Sequence, residues 1–534
     1  SARRRIPASP TARAQASWRL RSPFISFSTR ASSSKEAAPS PPASSSSNTA
    51  SVSSTCPTQL PVVFAAEKYT TSFPRPGWAE QSPDDWWRSL GVAMSRALAE
   101  SNISKDDILG LAADTTCCSV VALDAEMRPL RDAIIWMDVR ADAEADAVLA
   151  TGEAALQVNN GGKGPVSAEW MLSKSLWINR NQPEIWEQAA VICEYQDYLT
   201  MRLTGERCAS LNNIGLRWHY ANRDGGWASG IVEKLGMPDL LEKWPSRVAA
   251  PGEVVGNLSA AAAAELGLST RTKLVQGGAD ALIGMIGLGV SKPGQLALIT
   301  GSSHLQFGVT DAPLHAQGVW GAYADIVYPG RYIVEGGQTS TGSIINWFRR
   351  LLGSVDLDEL NAKAALLPPG SEGLIAQDHF QGNRTPYTDA NSRGAFVGLT
   401  LSHEPHHIFR AIIEGICFGT RTILDGFKDG GYTSTEMTVG GGATASRLWM
   451  QIHADTAGIP VRIPESTEAP SMGSAILAAH GAGHFASIDE GIDAMVKPGV
   501  LIEPDPAATA AYKNVYQQYR ALYPALKQIR EQAE

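Results

Sequence analysis

LVQGGADALIGMIGLGVSKPGQLALITGSSHLQFGVT, residues 274–310, contains two strand-to-loop switches in succession. Leu274-Val275-Gln276 is a strand-like run that enters two glycines; an acid follows at Asp280, and a helix pattern of small residues begins. A second run, residues 295–300, ends in Gly301-Ser302-Ser303. The first switch presents a carboxylate, and the second presents backbone N–H groups and hydroxyls. Phosphoryl transfer asks a protein mainly for positioning, phosphate contacts, a metal and a group that takes the nucleophile's proton, so the pair suits that chemistry. Taken singly, each half has a plainer reading. Asp is a favoured helix N-cap after a glycine turn, and small polar loops commonly follow strands.

Three further stretches follow in order: EGGQTSTGSIINWFRR (residues 335–350), DHFQGNRTP (378–386) and GGGATASRLWMQIHADTAGIPVRIPESTEAPSMGSAILAAHGAG (440–483). Together with GGADALIGMIGLG and ITGSS they resemble the C-terminal domain of the FGGY carbohydrate kinases, and the last stretch is the most specific match. The resemblance extends over roughly residues 62–483. It implies an α/β fold of two actin-like, ribonuclease-H-type domains with a cleft between them, the sugar mainly on the first and ATP mainly on the second, and a requirement for ATP and Mg2+. Carried over residue by residue, Asp280 matches the general base, and Gly301, Ser302 and Ser303 match a phosphate loop. Glu335 matches an acid near the sugar; Gly342 and Asn346 match positions flanking the nucleotide. Gly441, Gly442 and Ala443 match an adenosine loop, where the lack of bulky side chains lets backbone approach the base, with Ser446 as a hydrogen-bond partner for it. The 378–386 stretch is expected to close a loop near the cleft.

In the first half, ILGLAADTTCCSVVAL (108–123) reads as two buried strands with a turn near Asp114. IIWMDVRA (134–141) reads as a strand ending in Trp136, Asp138 and Arg140. An acid and a guanidinium two residues apart hydrogen-bond hydroxyls well, and an indole stacks on the apolar face of a sugar. A core Trp beside a surface ion pair is the competing reading. The form Trp-Met-Asp-x-Arg-Ala after Asp-x-Thr-Cys looks more like the ribulose kinases of the family than its glycerol or xylulose kinases, which implies Asp114, Trp136, Asp138 and Arg140 as sugar contacts. GGKGPVSAEWMLSKSLW (161–177) is similar to the ribulokinase pattern that borders the sugar through Ser167 and Glu169. Lys174 reads as a solvated helix residue or an ATP contact, and Asp197 as a helix cap or a sugar contact.

The chain has 534 residues, 44% hydrophobic and 19% charged, which is ordinary for a soluble enzyme of two to four domains. Its net charge of −9 argues against a general nucleic-acid partner, and no apolar run approaches the roughly 18 residues needed to span a bilayer. The six cysteines show no paired metal spacing; the adjacent Cys117 and Cys118 read as small buried residues rather than a disulfide, hence a reducing compartment. Residues 1–59 are rich in Ser, Ala, Pro and Arg, with Glu36 as the lone acid. Such a composition cannot bury a core of its own, so a disordered leader over residues 1–60 is expected. Its Arg/Ser-rich pattern is that of a transit peptide, with a plain disordered tail or mistranslated upstream sequence as the alternative; the expected location is the cytoplasm, or the plastid or another organelle stroma if the leader is a transit peptide. Members of the family open with a β-hairpin carrying an Asp-x-Gly-Thr phosphate loop, and none precedes Pro61; either a lost N-terminal exon or weakened catalysis is expected.

The expected domains are a sugar-binding one over 61–270, an ATP-binding one over 271–490 and a C-terminal helical tail over 491–534. The expected reaction is ATP-dependent phosphorylation of a ribulose-type ketopentose on its terminal hydroxyl, giving the 5-phosphate. A xylulose or polyol kinase and a non-catalytic sugar or nucleotide binder are the alternatives. The expected partners are a small sugar and ATP, not nucleic acid or membrane, and the expected assembly is a homodimer.

Overall fold

The computed structural model describes residues 63–533 except 159–161, 163, 354 and 467, together with the backbone of residues 24–31 and 47–55. Strands β1 (Phe24–Ala31), β2 (Ser47–Thr55), β3 (Val63–Thr70), β4 (Gly110–Thr115), β5 (Val254–Asn257) and β6 (Lys273–Ala279) form one sheet in the order β5-β6-β4-β1-β2-β3. Strands β7 (Gln295–Thr300), β8 (His304–Thr310), β9 (Trp320–Ala324), β10 (Tyr332–Gln338), β11 (Glu436–Gly441), β12 (Val461–Ile463) and β13 (Val500–Ile502) form a second, in the order β9-β10-β8-β7-β11-β12-β13. In the first sheet β1, β2 and β3 are an antiparallel meander, and β1, β4 and β6 run parallel. In the second, β7, β8 and β10 are the meander, and β7, β11 and β12 run parallel. The run β3-β2-β1-β4-β6 therefore repeats, in order and in direction, as β10-β8-β7-β11-β12. This duplicated unit is the two-domain actin-like α/β fold that the sequence resemblance implies.

The helices that matter for the site are α1 (Pro83–Ser101), α2 (Met171–Asn181), α3 (Tyr195–Thr204) and α4 (Leu211–Arg217) in the first half. In the second they are α5 (Asp280–Gly287), α6 (Gly342–Leu351), α7 (Leu357–Ala364), α8 (Pro405–Asp429), α9 (Arg447–Ala457), α10 (Ala469–Gly481) and α11 (Pro506–Ala533). Helix α1 starts at Pro83 with the acids Asp84 and Asp85 in its first turn, where the dipole favours them, and Ser82 precedes it without a side-chain cap hydrogen bond. Helix α5 packs on α10, and α10 lies against β1 and β4 of the first sheet although its sequence belongs to the second half. The two helices touch at Gly473, where an added Cβ would stand 2.0 Å from the Ile283 carbonyl oxygen. One apolar cluster consequently runs through both halves, from Ala112 and Trp170 through Ile283 and Met285 to Phe307, Trp320 and Leu477.

Three boundaries differ from the sequence expectation. Residues 24–31 and 47–55 are strands of the first sheet rather than disordered leader. Composition measures whether a segment can bury a core of its own, whereas β1 borrows the ladder of the fully buried β4, pairing Ile25 with Leu111 and Ser28 with Asp114. The rest of the leader, including Cys56 and the transit-peptide pattern, lies outside the described residues, as does Gly161 of the glycine turn. The first domain does not end near residue 270, because β6 pairs with β4 and closes the first sheet. Nor is the C-terminal segment a tail. β13 pairs with β12, and α11 carries Tyr512, Tyr519 and Tyr523 against the second domain, donating to Glu414 (2.8 Å), Asp378 (2.6 Å) and Asp389 (3.0 Å). These tyrosines fall seven and four positions apart, which places them on one helix face.

Candidate active site

Asp280 is the first residue of α5, with Ala279 as the N-cap, so it stands where the helix dipole favours a negative charge and does not itself cap the helix. Its Oδ1 accepts from the Ala281 amide at 2.7 Å, and the side chain is half-buried. The strand that delivers it is braced on both sides. Ser210 Oγ donates to the Gly277 carbonyl (2.8 Å), and Asn212 Oδ1 accepts from the Ala279 amide (2.8 Å) while its Nδ2 donates to the Ile326 carbonyl (2.7 Å). Asn212 thereby ties the end of β6 to the second half of the molecule. In open α/β sheets ligands sit beyond the carboxyl ends of parallel strands. Asp280 is at that end of β6, and α5 packs against β7 and β8.

At the carboxyl end of β7, the Gly301-Ser302-Ser303 turn docks on the start of α6. The amides of Thr341 and Ser343 donate to the Ser302 carbonyl (2.9 and 3.2 Å), and that of Gly342 donates to the Gly301 carbonyl (3.2 Å). A Cβ on Gly342 would lie 2.4 Å from that same Gly301 oxygen, so the approach requires glycine. Ser302 is exposed and Ser303 half-exposed, which leaves their hydroxyls at the surface of the turn; Asn346 is exposed one turn further along α6. Thr300 pairs with Gly441 across β7 and β11, and its Oγ1 donates to the Gly440 carbonyl (2.8 Å) and accepts from the Ala443 amide (3.2 Å). Gly441 has φ +99°, and a Cβ there would overlap the Thr300 carbonyl at 2.0 Å. Gly301, Ser302, Ser303, Gly342, Gly441, Gly442 and Ala443 are thus brought together as one glycine-lined cradle at the ends of two adjacent parallel strands. Ser446 is different. Its hydroxyl accepts from the Trp449 amide (3.2 Å) and donates its one proton to Asn361 Oδ1 (2.6 Å), so it caps α9 and anchors α7 rather than donating to a base.

Beside Asp280, at the carboxyl end of β4, stands the DTTCCS segment, because Thr115 pairs with Ala279. Asp114 is buried and accepts from Ser474 Oγ of α10 at 2.8 Å, which locks the strand end to the helix crossing between the halves. Glu194 holds the turn from behind: its carboxyl accepts from the amides of Cys118 and Ser119 (both 3.1 Å) and from the Trp218 indole (3.2 Å), and burial pushes its pKa well above the usual carboxylate range. Lys174 is neither a solvated residue nor an ATP contact. It is fully buried and its Nζ donates to the carbonyls of Cys118 (2.9 Å) and Ile135 (2.7 Å), with burial lowering its pKa. Ser167 Oγ accepts from the Glu169 amide (3.1 Å) ahead of α2, and both side chains are half-buried. Asp197 takes the capping role: it accepts from the Glu194 amide (3.1 Å) and the Ser210 amide (2.8 Å).

Trp136 is 37% exposed and available for stacking, but Asp138 and Arg140 are not free for sugar hydroxyls. The two side chains are fully buried and paired at 2.7 Å; Asp138 also accepts from the Ala79 amide (2.6 Å), and Arg140 lies 3.7 Å over Trp78 and ion-pairs Glu80 at 2.8 Å. The pair closes on itself because Trp78 and Glu80 arrive from a distant loop, which adjacency in sequence does not reveal.

Glu335 is buried where the two halves of the molecule meet. At 1% exposure it accepts from Arg217 (2.8 and 2.9 Å), Arg384 (2.8 Å) and Tyr323 (2.9 Å). Burial would raise its pKa, but Arg217 and Arg384 outweigh that and hold it below the usual range. Arg217 comes from α4 of the first half, so the pair bridges the domains, and Arg384 stacks 3.8 Å over Trp320. Through Arg384 the 378–386 stretch reaches Glu335. Both Glu335 oxygens are taken, so it acts on a ligand only by orienting the arginines. Arg217, Tyr323, Trp320 and Cys117 are absent from the sequence-derived site; an Arg beside a Trp at a helix end gives no periodic or spacing signal.

A glycine-lined cradle at the carboxyl ends of two parallel strands, and a carboxylate at the carboxyl end of a strand of the other sheet, are the kind of parts that phosphoryl transfer asks for. Residues 61–287 and 296–482 match the N-terminal and C-terminal domains of the FGGY family of carbohydrate kinases. An FGGY carbohydrate kinase domain-containing protein of Xenopus laevis is 31% identical over 503 residues, covering 84% of this chain and 90% of the relative. The ribulokinase of Geobacillus thermodenitrificans is 30% identical over 489 residues, covering 84% and 85%. The crystal structure of xylulose kinase from Rhodospirillum rubrum superposes with a TM-score of 0.81 at 28% identity, over 90% of this chain and 97% of that one. The chain belongs to the FGGY family and is a carbohydrate kinase. Among the described residues, no helix is long and apolar enough to cross a membrane.

Proposed function

We propose that the protein transfers the γ-phosphoryl group of ATP to the terminal hydroxyl of a ribulose-type ketopentose, giving the 5-phosphate and ADP. The observation that carries the reading is the station of Asp280, at the carboxyl end of β6 on a helix that packs against β7, one of the two strands of the glycine cradle. Asp280 accepts the hydroxyl proton as the sugar oxygen–phosphorus bond forms and the bond to the β-phosphate oxygen breaks. Gly301, Gly342 and Gly441 let backbone approach the phosphates and adenosine, while Ser302 and Ser303 donate to phosphate oxygens. Trp136 covers the apolar face of the sugar, and Arg384, oriented by Glu335, meets its oxygens. Magnesium fits oxygen donors of this kind, from Asp280 and from ATP itself, and supplies charge neutralisation on the phosphates.

Support for the acceptor comes from the Trp-Met-Asp-x-Arg-Ala pattern and from the Geobacillus ribulokinase. Xylulose is the second reading, favoured by the Rhodospirillum rubrum likeness. The test is coupled ADP release with ATP, magnesium and a panel of D-ribulose, L-ribulose, D-xylulose, ribitol and glycerol. A ribulose isomer should give the highest kcat/KM. A higher value for xylulose or a polyol would replace the acceptor, and no sugar-dependent rate with any member would overturn the reading.

A further inference from the structure

The transfer just described makes no use of the two thiols in the DTTCCS turn. Cys118 donates its thiol hydrogen to the Cys117 sulfur at 3.8 Å, and both are free thiols. Cys117 is half-buried, hence reachable, and Thr115 pairs with Ala279, so the turn that carries Cys117 stands beside Asp280 at the carboxyl ends of β4 and β6. Cys118 is buried in a left-handed backbone conformation (φ +61°) that non-glycine residues rarely adopt, and it is clamped there by Glu194 and Lys174. Burial pushes the thiols of Cys193, Cys208 and Cys417 upward in pKa. Cys117 moves the other way: the hydrogen bond from Cys118 lowers it, and Arg217 adds to the effect against burial. Among these thiols it is the one that is both shifted toward the thiolate and reachable, the two directions that favour oxidation.

We propose that Cys117 and Cys118 are an oxidisable dithiol in the substrate pocket, closed by peroxide into a vicinal disulfide that stops sugar phosphorylation and reopened by a dithiol reductant. The Cys117 thiolate attacks one peroxide oxygen, the O–O bond breaks, and a sulfenic acid forms as the released hydroxide takes a proton to leave as water. The Cys118 sulfur then attacks the sulfenic sulfur, the S–S bond forms, and the S–O bond breaks with loss of a second water. Two electrons pass from the thiol pair to one hydrogen peroxide. The sulfurs need only close from 3.8 Å to the ~2.05 Å of a disulfide. Consecutive Cα atoms lie about 3.8 Å apart, shorter than the usual range of disulfide Cα separations, so the ring is strained and easily reduced, as a reversible bond must be. Ring closure pulls the turn off the Glu194 and Lys174 clamps and alters the pocket wall next to Asp280.

The experiment treats the full chain with hydrogen peroxide under native conditions, alkylates it after denaturation and maps its peptides by mass. The Cys117–Cys118 peptide should lose about 2 Da and take no alkyl group, with Cys193, Cys208 and Cys417 alkylated as in the untreated protein. The sugar-dependent rate should drop by about tenfold or more and return with dithiothreitol. Two alkyl groups on that peptide, or added oxygen atoms that dithiothreitol does not remove, would overturn the proposal. Cys117→Ser should keep its own untreated rate after peroxide, and an equal fractional loss in that variant would also overturn it. If that variant fails to fold, Cys118→Ser decides instead: without the second sulfur its oxidation should proceed to an irreversible oxygenated Cys117. The mass readout stands whichever sugar is the acceptor.

Discussion

Replacing Glu335 with alanine removes one carboxylate from between two arginines supplied by different parts of the chain. Arg217 is 6% exposed and gives Glu335 both of its Nη2 contacts; its Nη1 donates to Tyr323 Oη at 2.8 Å. Breaking a buried ion pair by deleting one partner costs about 3–5 kcal/mol, since the surviving charge is left uncompensated in a low-dielectric site. Arg384 is 23% exposed on its side chain and partly screened by solvent, so it adds little to that figure. At about 2 °C per kcal/mol for a large domain, Glu335→Ala should melt about 6–10 °C below the parent, and Glu335→Gln, which keeps an acceptor at the same place, should fall between them. The pH dependence has a fixed sign. The folded pKa of Glu335 lies below its ordinary value of 4.5, so its stabilisation is complete above that value and is lost as pH falls through the lower folded one. The stability gap between the parent and Glu335→Gln should stay constant from neutral pH down to about 5 and shrink below about 4.5. Thermal melting followed by circular dichroism across that pH range is the assay. A Glu335→Ala protein melting within about 1 °C of the parent at neutral pH would refute the assignment of a buried interdomain ion pair.

Gly342→Ala places a methyl group 2.4 Å from the Gly301 carbonyl oxygen and must displace the phosphate turn. The KM for ATP should rise by about tenfold, the equivalent of ~1.4 kcal/mol, with the KM for sugar unchanged, as read by ADP release at varied ATP. Ser446→Ala should cost about 1 kcal/mol through the lost cap of α9, seen as a lower urea midpoint, and leave the KM for ATP within about twofold. A large rise in that KM would return Ser446 to the adenosine. Arg140→Gln leaves Asp138 buried without its partner and should destabilise the pocket wall by about 3 kcal/mol rather than change which sugar is used, checked by urea unfolding and the sugar panel.

What the sequence made legible was the set of turns at strand ends. Gly301-Ser302-Ser303, Gly342 and Gly441-Gly442-Ala443 lie in short contiguous stretches, and the structure joins them through β7, β11 and α6. Asp280 follows the same logic, two residues past a glycine pair. Residues whose meaning depends on a partner far along the chain were misread. Arg140 and Asp138 are sealed by Trp78 and Glu80, Lys174 by the carbonyls of Cys118 and Ile135, and Ser446 by Asn361. Arg217 had no local signature, because its function comes from Glu335, 118 positions away. The same physics explains the leader: β1 and β2 gain their ladder from β4, not from their own composition.

The most direct measurement is the turnover of Asp280→Asn with the sugar that wins the panel, alongside calorimetric titration of that sugar. The amide keeps the shape of the side chain at the start of α5 but accepts no proton. The account predicts sugar affinity within about twofold of the parent and kcat lower by about 10²–10⁴-fold. Near-parental kcat in a folded Asp280→Asn protein would contradict it and remove Asp280 as the base.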